Sequence, residues 1–234
     1  MNDEAGAGGR KAGSGGGGTS AGTAVPAAFL FDFDMTVADT AESVIRAMNL
    51  FADEQGLRHI TKEDLMGAIG LPLEDTWVKY WGRCEPGWPE LYRERHKDTE
   101  LSGFRPFPGT VALLDRLAAA GAKLAVVTNR WSAADAVEAA GLGGRFGAIV
   151  GAEESRRPKP YPDPVLKALE LLGVPAEAAA LAGDSDLDIK AACAAGVRGI
   201  GVATGGVSRE LLAAAGAWKV CGEIGEIAGL FGLG

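Results

Sequence analysis

The sequence has little of the nitrogen and sulfur from which proteins build zinc or iron centres: its 234 residues include 2 histidines and 3 cysteines. Cys84, Cys193 and Cys221 form no C-x-x-C pair and are odd in number, so neither a zinc site nor a disulfide framework is indicated, and a reducing compartment fits. His59 and His96 are isolated and receive no role. Basic residues are also short: 23 Lys and Arg against 31 Asp and Glu give a net charge of -8. Nucleic acid and anionic membrane surfaces bind basic faces, so neither is expected as a partner. No apolar run reaches membrane-spanning length, and the N-terminus lacks the apolar core of a secretory signal. The expected location is therefore the cytoplasm.

Residues 1–24 are mostly Gly, Ala and Ser, with Gly15 to Gly18 in a row, and offer too little apolar side chain to offset ordering entropy. A disordered tail is expected there. The alternative, a phosphate-cradling loop, needs a preceding strand and a following Gly-Lys-Ser/Thr, and both are missing.

Beyond the tail, Ala27-Ala28-Phe29-Leu30-Phe31 reads as a buried strand, bounded by Pro26 and Asp32. From Thr40 the pattern turns helical, with Val44, Ile45 and Met48 at helix-face spacing, and stays irregularly helical and aromatic to Arg105. Pro106 and Pro108 mark a return to the core and the approach to a helix containing Val111, Leu114 and Leu117. Apolar runs then alternate with helical ones: Lys123 to Val127, Phe146 to Val150, Ala179 to Ala182, Gly199 to Val202 and Trp218 to Cys221. That alternation predicts an α/β fold with a doubly wound, mostly parallel Rossmann-like sheet. The expected division is a core of residues 25–38 and 106–234, with residues 39–105 inserted as a helical cap.

Ligands of such sheets bind beyond the carboxyl ends of the strands. Four polar sets stand out: Asp32 and Asp34, Thr128 and Asn129, and Gly183-Asp184-Ser185-Asp186-Leu187-Asp188, each after an apolar run, and Lys159 in Arg157-Pro158-Lys159-Pro160. Asp32 and Asp34 are two apart, so on a continued strand they project to one side, where two carboxylates repel unless they share a cation or proton. Asp184 and Asp188 add carboxylates one helical turn apart. With so few His and Cys, this oxygen-rich set favours magnesium over zinc. A carboxylate to attack phosphorus, a second to manage protons, and cations to neutralise the equatorial oxygens suffice for phosphoryl transfer. Monoester hydrolysis needs accelerations approaching ~10²¹, more than one such effect supplies. Each residue also has a plainer reading: Thr128 as a strand-end or N-cap residue, Lys159 as an exposed loop charge, and Asp184, Ser185 or Asp186 as a helix cap.

The ordered series Asp32-Phe33-Asp34-Met35-Thr36, Thr128, Lys159 and Gly183 to Asp188 resembles the haloacid dehalogenase-like hydrolase superfamily, most closely its phosphoglycolate phosphatase-like branch. The resemblance implies a magnesium-dependent phosphatase of small phosphorylated metabolites, with phosphoglycolate or a sugar phosphate as family-level substrates. It implies that Asp32 is the nucleophile that becomes an aspartyl phosphate, and that Asp34 protonates the leaving oxygen and then activates water. Thr128 and the Asn129 amide would hold phosphoryl oxygens, and Lys159 would steady Asp32 and the transferring group. Asp184 would bind magnesium with the Asp32 carboxylate and the Asp34 carbonyl, and Asp188 would act through the metal's water shell. One departure stands out: Met35 occupies a position where phosphatases of the family usually carry glycine, which puts the turn after Asp34 in question.

A phosphomutase would use the same aspartyl phosphate, although Thr36 resembles the phosphatase form of the motif. A non-catalytic phosphate-binding or regulatory family member is the other alternative. Within residues 39–105, Trp77, Tyr80, Trp81, Trp88 and Tyr92 read as small-domain core rather than as a substrate frame. Arg93, Arg95 and Lys97 read as a solvated face from which one cation could reach a second anionic group of a substrate. Gly70-Leu71-Pro72 resembles the cap loop that approaches the active site. At the C-terminus, Ile224, Ile227, Leu230 and Phe231 fit either core packing or an interface between copies.

Overall fold

The computed structural model describes residues 24–234, so all but the last residue of the expected tail lies outside the described residues. A six-stranded sheet forms the centre, with every neighbouring pair parallel. Its strands are β1 (Ala28–Phe31), β4 (Lys123–Val127), β5 (Ala148–Val150), β6 (Ala179–Gly183), β7 (Arg198–Val202) and β8 (Lys219–Cys221), in the spatial order β5-β4-β1-β6-β7-β8. The strand order reverses at β1, where β4 lies on one side and β6 on the other, so the carboxyl end of β1 opens onto the crevice that doubly wound sheets use for ligands.

β1 is buried at all four residues because alternate side chains feed two apolar layers. Phe29 and Phe31, with Leu124 and Val126, face α5 (Thr110–Ala119), whose Leu113, Leu114 and Leu117 pack in the same cluster. Ala28, Leu30, Ala125 and Val127 face the opposite way, toward α7 (Asp163–Leu172) and α8 (Asp186–Ala194). The C-terminal apolar residues belong to the first layer: Ile224 and Ile227 are fully buried, and Phe231 packs edge-on to Phe29 with ring centroids 5.2 Å apart. Core packing is therefore the reading that holds for them.

After Asp34 the chain passes through the short strand β2 (Ala38–Asp39) and returns through β3 (Arg105–Pro106), which pairs antiparallel with it. Four helices lie between: α1 (Ala41–Gln55), α2 (Lys62–Met66), α3 (Leu73–Trp81) and α4 (Trp88–Leu101). Their aromatic residues pack on one another. Trp77 is fully buried and stacks on Phe51 at 5.1 Å, while Trp88 and Tyr92 meet the Phe51 ring edge-on. Most of these rings are core, as their spacing suggested, although Tyr92 also reaches the cleft described below. Among the described residues, no helix is long and apolar enough to cross a membrane.

Candidate active site

The end of β1 delivers Asp32, the end of β4 delivers Thr128 and Asn129, and the end of β6 delivers Asp184. Lys159 arrives from the segment before α7 and is 2% exposed. Its Nζ donates to Asp32 Oδ1 at 2.7 Å, to Asp188 Oδ1 at 2.6 Å and to the Val127 carbonyl at 2.9 Å, which uses all three ammonium donors. The exposed-loop reading of Lys159 thus does not hold. Asn129 fixes the lysine's backbone from across the site: its Oδ1 accepts from the Lys159 amide at 2.8 Å and its Nδ2 donates to the Lys159 carbonyl at 3.1 Å.

Asp32, Asp184 and Asp188 each present a carboxylate oxygen, and these oxygens all lie within 4.8 Å of one another. All three residues are buried. Burial pushes the Asp32 carboxyl up to about 7, with Asp188 and Asp34 adding to the rise and Lys159 opposing it. The Asp184 carboxyl is raised well above its ordinary value, first by burial and then by Asp32 and Asp188. Burial disfavours the Lys159 charge too, but Asp188 and Asp32 outweigh it and hold the ammonium protonated.

Three carboxylates around one ammonium leave buried negative charge that a cation would neutralise. Asp184 shows where: Thr36 donates to its Oδ1 at 2.8 Å, while its Oδ2 is buried with no hydrogen-bond partner among the described residues. Gly205 packs so tightly against that oxygen that any Cβ there would overlap it. A buried, unpartnered carboxylate oxygen inside an all-oxygen group is what a bound divalent cation requires. Ser185, next in sequence, caps α8 by accepting from the Asp188 amide, and Asp188 Oδ2 accepts from the Ser185 amide and hydroxyl at 3.0 and 2.6 Å. Capping and charge are thus divided between neighbouring residues.

The Asp34 carboxylate does not join this group. Its carboxylate accepts from Arg130 Nε at 2.9 Å and Nη2 at 2.6 Å, a forked pair, and from the Thr40 hydroxyl at 2.7 Å. Burial alone would raise the Asp34 carboxyl, but the Arg130 charge and these hydrogen bonds hold it below its ordinary value. The remaining Arg130 nitrogen, Nη1, donates to Glu100 of α4, whose other oxygen accepts from the Tyr92 hydroxyl. Thr36 was read from sequence only as part of the motif, not as a partner of Asp184, and Thr40, Arg130 and Glu100 were not singled out. Arg130 alone carried a readable signal, since it directly follows Thr128 and Asn129.

Met35 adopts a left-handed backbone, φ 55°. The turn after Asp34 thus keeps the conformation that glycine enters without strain, and a buried methionine occupies it instead. Its amide donates to the Ala38 carbonyl at 2.9 Å and its carbonyl accepts from the Thr204 hydroxyl, bonds that hold the turn closed.

A cleft of about 930 Å³, its open mouth included, lies between these strand ends and the helices α1 to α4. Asp32, Asp34, Thr128, Asn129 and Arg130 form one side, and Gly70 and Leu71 approach them from the other. Gly70, at φ 84°, places its carbonyl 2.8 Å from Asn129 Nδ2, and a side chain there would be strained by the positive φ and crowded by the Ser185 hydroxyl, 3.2 Å from where its Cβ would sit.

Comparison with known proteins agrees with this geometry. Residues 29–202 match the model of a family described as haloacid dehalogenase-like hydrolase. A phosphoglycolate phosphatase of Aquifex aeolicus is 31% identical over 172 residues, covering 72% of this chain and 81% of that protein. The pyrophosphatase PpaX of Bacillus velezensis is 30% identical over 178 residues, covering 75% and 82%. Among solved structures, a haloacid dehalogenase-like family protein of Streptococcus pneumoniae superposes with a TM-score of 0.76 at 21% identity, covering 88% of this chain and 99% of that one, which shows a shared fold. The chain therefore belongs to the haloacid dehalogenase-like hydrolases, in their phosphoglycolate phosphatase-like branch.

Proposed function

We propose that the protein is a phosphatase that hydrolyses small phosphate monoesters in two steps, with the phosphoryl group carried on Asp32. The observation that supports this most directly is the buried Lys159 bridging Asp188 and Asp32, the latter a residue that lines the cleft. Lys159 holds Asp32 as an oriented carboxylate, the form that attacks phosphorus, and offers positive charge to the equatorial oxygens as they gain electron density. The Thr128 hydroxyl and Asn129 amide fit the role of cradling those oxygens. Asp32 and Asp184 would hold a divalent cation, with Asp188 beside them, and the all-oxygen donors favour magnesium. When bound, it would neutralise the carboxylates and the charge of the phosphoryl group.

Asp34 serves as acid and then as base. Paired with Arg130 it is ionised, the state that takes a proton from water when the aspartyl phosphate is hydrolysed. To protonate the departing oxygen in the first step it must carry a proton, which weakens its hold on Arg130. Residues 39–105 act as a cap that excludes bulk water and contacts the leaving group, with the Gly70 loop and α4 facing the reacting atoms. Phosphate release from a panel of esters, measured with and without magnesium for the native protein and Asp32→Asn, tests the reading. Magnesium-dependent release that vanishes in Asp32→Asn is expected; release unaffected by the substitution would refute it.

A further inference from the structure

The wall of the cleft opposite the aspartates is apolar. Val44, Met48, Leu65, Ile69, Leu73 and Leu101 line it. Most polar side chains beside them have protein partners. The Thr76 hydroxyl donates to the Pro72 carbonyl at 3.1 Å, the Tyr92 hydroxyl to Glu100, and Lys97 pairs with Asp135. Arg130 spends its guanidinium on Asp34 and Glu100. Arg93 differs. Its guanidinium lies over the Trp131 ring at 4.5 Å, and although Nη2 donates to Glu90 at 3.3 Å, Nη1 is buried without a partner among the described residues.

A leaving group rich in hydroxyls would surrender its hydrogen bonds to water on entering this space and find few replacements. A hydrocarbon chain would bury its surface against the wall, and an anionic end would meet the unpartnered Arg93 nitrogen. Resting on the phosphatase reading, we infer that the preferred substrates are phosphate monoesters of apolar alcohols that carry one anionic group at the far end, recognised by Arg93. Glycolate is too short to cover the wall, and a sugar is too polar for it.

The test measures kcat/KM of the full chain with magnesium for four esters of primary alcohols, chosen so that leaving-group basicity stays comparable: hexyl phosphate, its carboxylated analogue phosphooxyhexanoate, phosphoglycolate and glucose 6-phosphate. Phosphooxyhexanoate should lead, and both alkyl esters should exceed glucose 6-phosphate by about tenfold or more, the scale on which an apolar pocket discriminates. Arg93→Met should cut the advantage of phosphooxyhexanoate over hexyl phosphate by about tenfold, as expected for a lost ion pair. A lead for glucose 6-phosphate or phosphoglycolate overturns the inference while leaving the phosphatase reading intact. An unchanged ratio in Arg93→Met overturns the role of that arginine. Release from none of the four overturns the phosphatase reading and the inference with it.

Discussion

The strand-end loops and the helices facing them across the cleft are built on opposite principles. On the sheet side, Asp32, Lys159, Asp184 and Asp188 are each at most 2% exposed, and one oxygen of each carboxylate and the ammonium are tied to groups from distant parts of the chain. On the helical side the lining is mostly hydrocarbon, backed by stacked rings around Phe51 and Trp77. Buried charge held in a network has one arrangement, which suits chemistry that any phosphate ester shares. An apolar wall is shaped by volume alone, so it can be changed without touching the reacting groups. The two sides join through few polar links: Arg130 with Glu100, Asn129 with Gly70, and Lys97 with Asp135.

Breaking the charged side should have the largest consequences. Asp32→Asn should lower phosphate release by about 10³-fold or more while leaving the fold intact, measured as kcat in magnesium buffer alongside a thermal melt. The next effect concerns the cation. At about a hundred times its Kd, magnesium should stabilise the native protein by about 2.7 kcal/mol, or roughly 5 to 10 °C in Tm for a chain of this length. Asp184→Asn should abolish that increment. Because it removes one of three crowded carboxylates, it should also raise stability in chelator, an opposite sign that ordinary damage to the core would not produce.

Cutting the link between the two sides should cost less activity and more stability. Arg130→Ala leaves Asp34 and Glu100 without their shared cation, each with a side chain no more than 13% exposed, and should destabilise by about 3 kcal/mol. The pH dependence carries a sign. Asp34 is held below its ordinary 3.8 in the folded protein, so its stabilising contribution is present above about pH 4 and fades as pH falls through its folded value. Denaturant midpoints of the native protein should drop through that acid range, and the drop should be shallower in Arg130→Ala. A steeper drop in the variant would break the assignment.

The smallest effect tests the turn between β1 and β2. A left-handed non-glycine residue is strained by about 1 to 2 kcal/mol, and Met35 offsets this by burying its side chain. Met35→Ala keeps the strain and loses the burial, whereas Met35→Gly loses both. The glycine variant should therefore be the more stable of the two by about 1 kcal/mol, read from chemical denaturation.

Much of the charged side was legible in the chain. Asp32, Thr128 and Asp184 each end an apolar run, and parallel strands bring such ends to one edge of a sheet. Lys159 and Arg130 were harder. A lysine between two prolines looks like a surface residue until three acceptors are seen around it, and they come from β1, β4 and α8. Thr40 was equally silent, and the motif that contains Thr36 did not show its partner, because a hydroxyl gains meaning only from the carboxylate it meets, 148 residues away in the case of Thr36. The aromatic spacing of α3 and α4 signalled core, but which apolar residues turned toward the cleft did not follow from periodicity, since wall and core share one composition.

The sequence by itself determined the alternation of strands and helices, the placement of three reactive groups at strand ends, and the excess of acidic oxygen over nitrogen and sulfur that points to a hard cation. Those are local properties, set by side-chain period, chain punctuation and composition. Only the tertiary structure decided that Asp34 faces Arg130 rather than the other aspartates, that one oxygen of Asp184 is left without a partner, and that the far wall of the cleft is apolar. Each depends on what lies opposite a residue after distant segments have packed, where burial sets the strength of a charge and the shape of the remaining space sets what can enter.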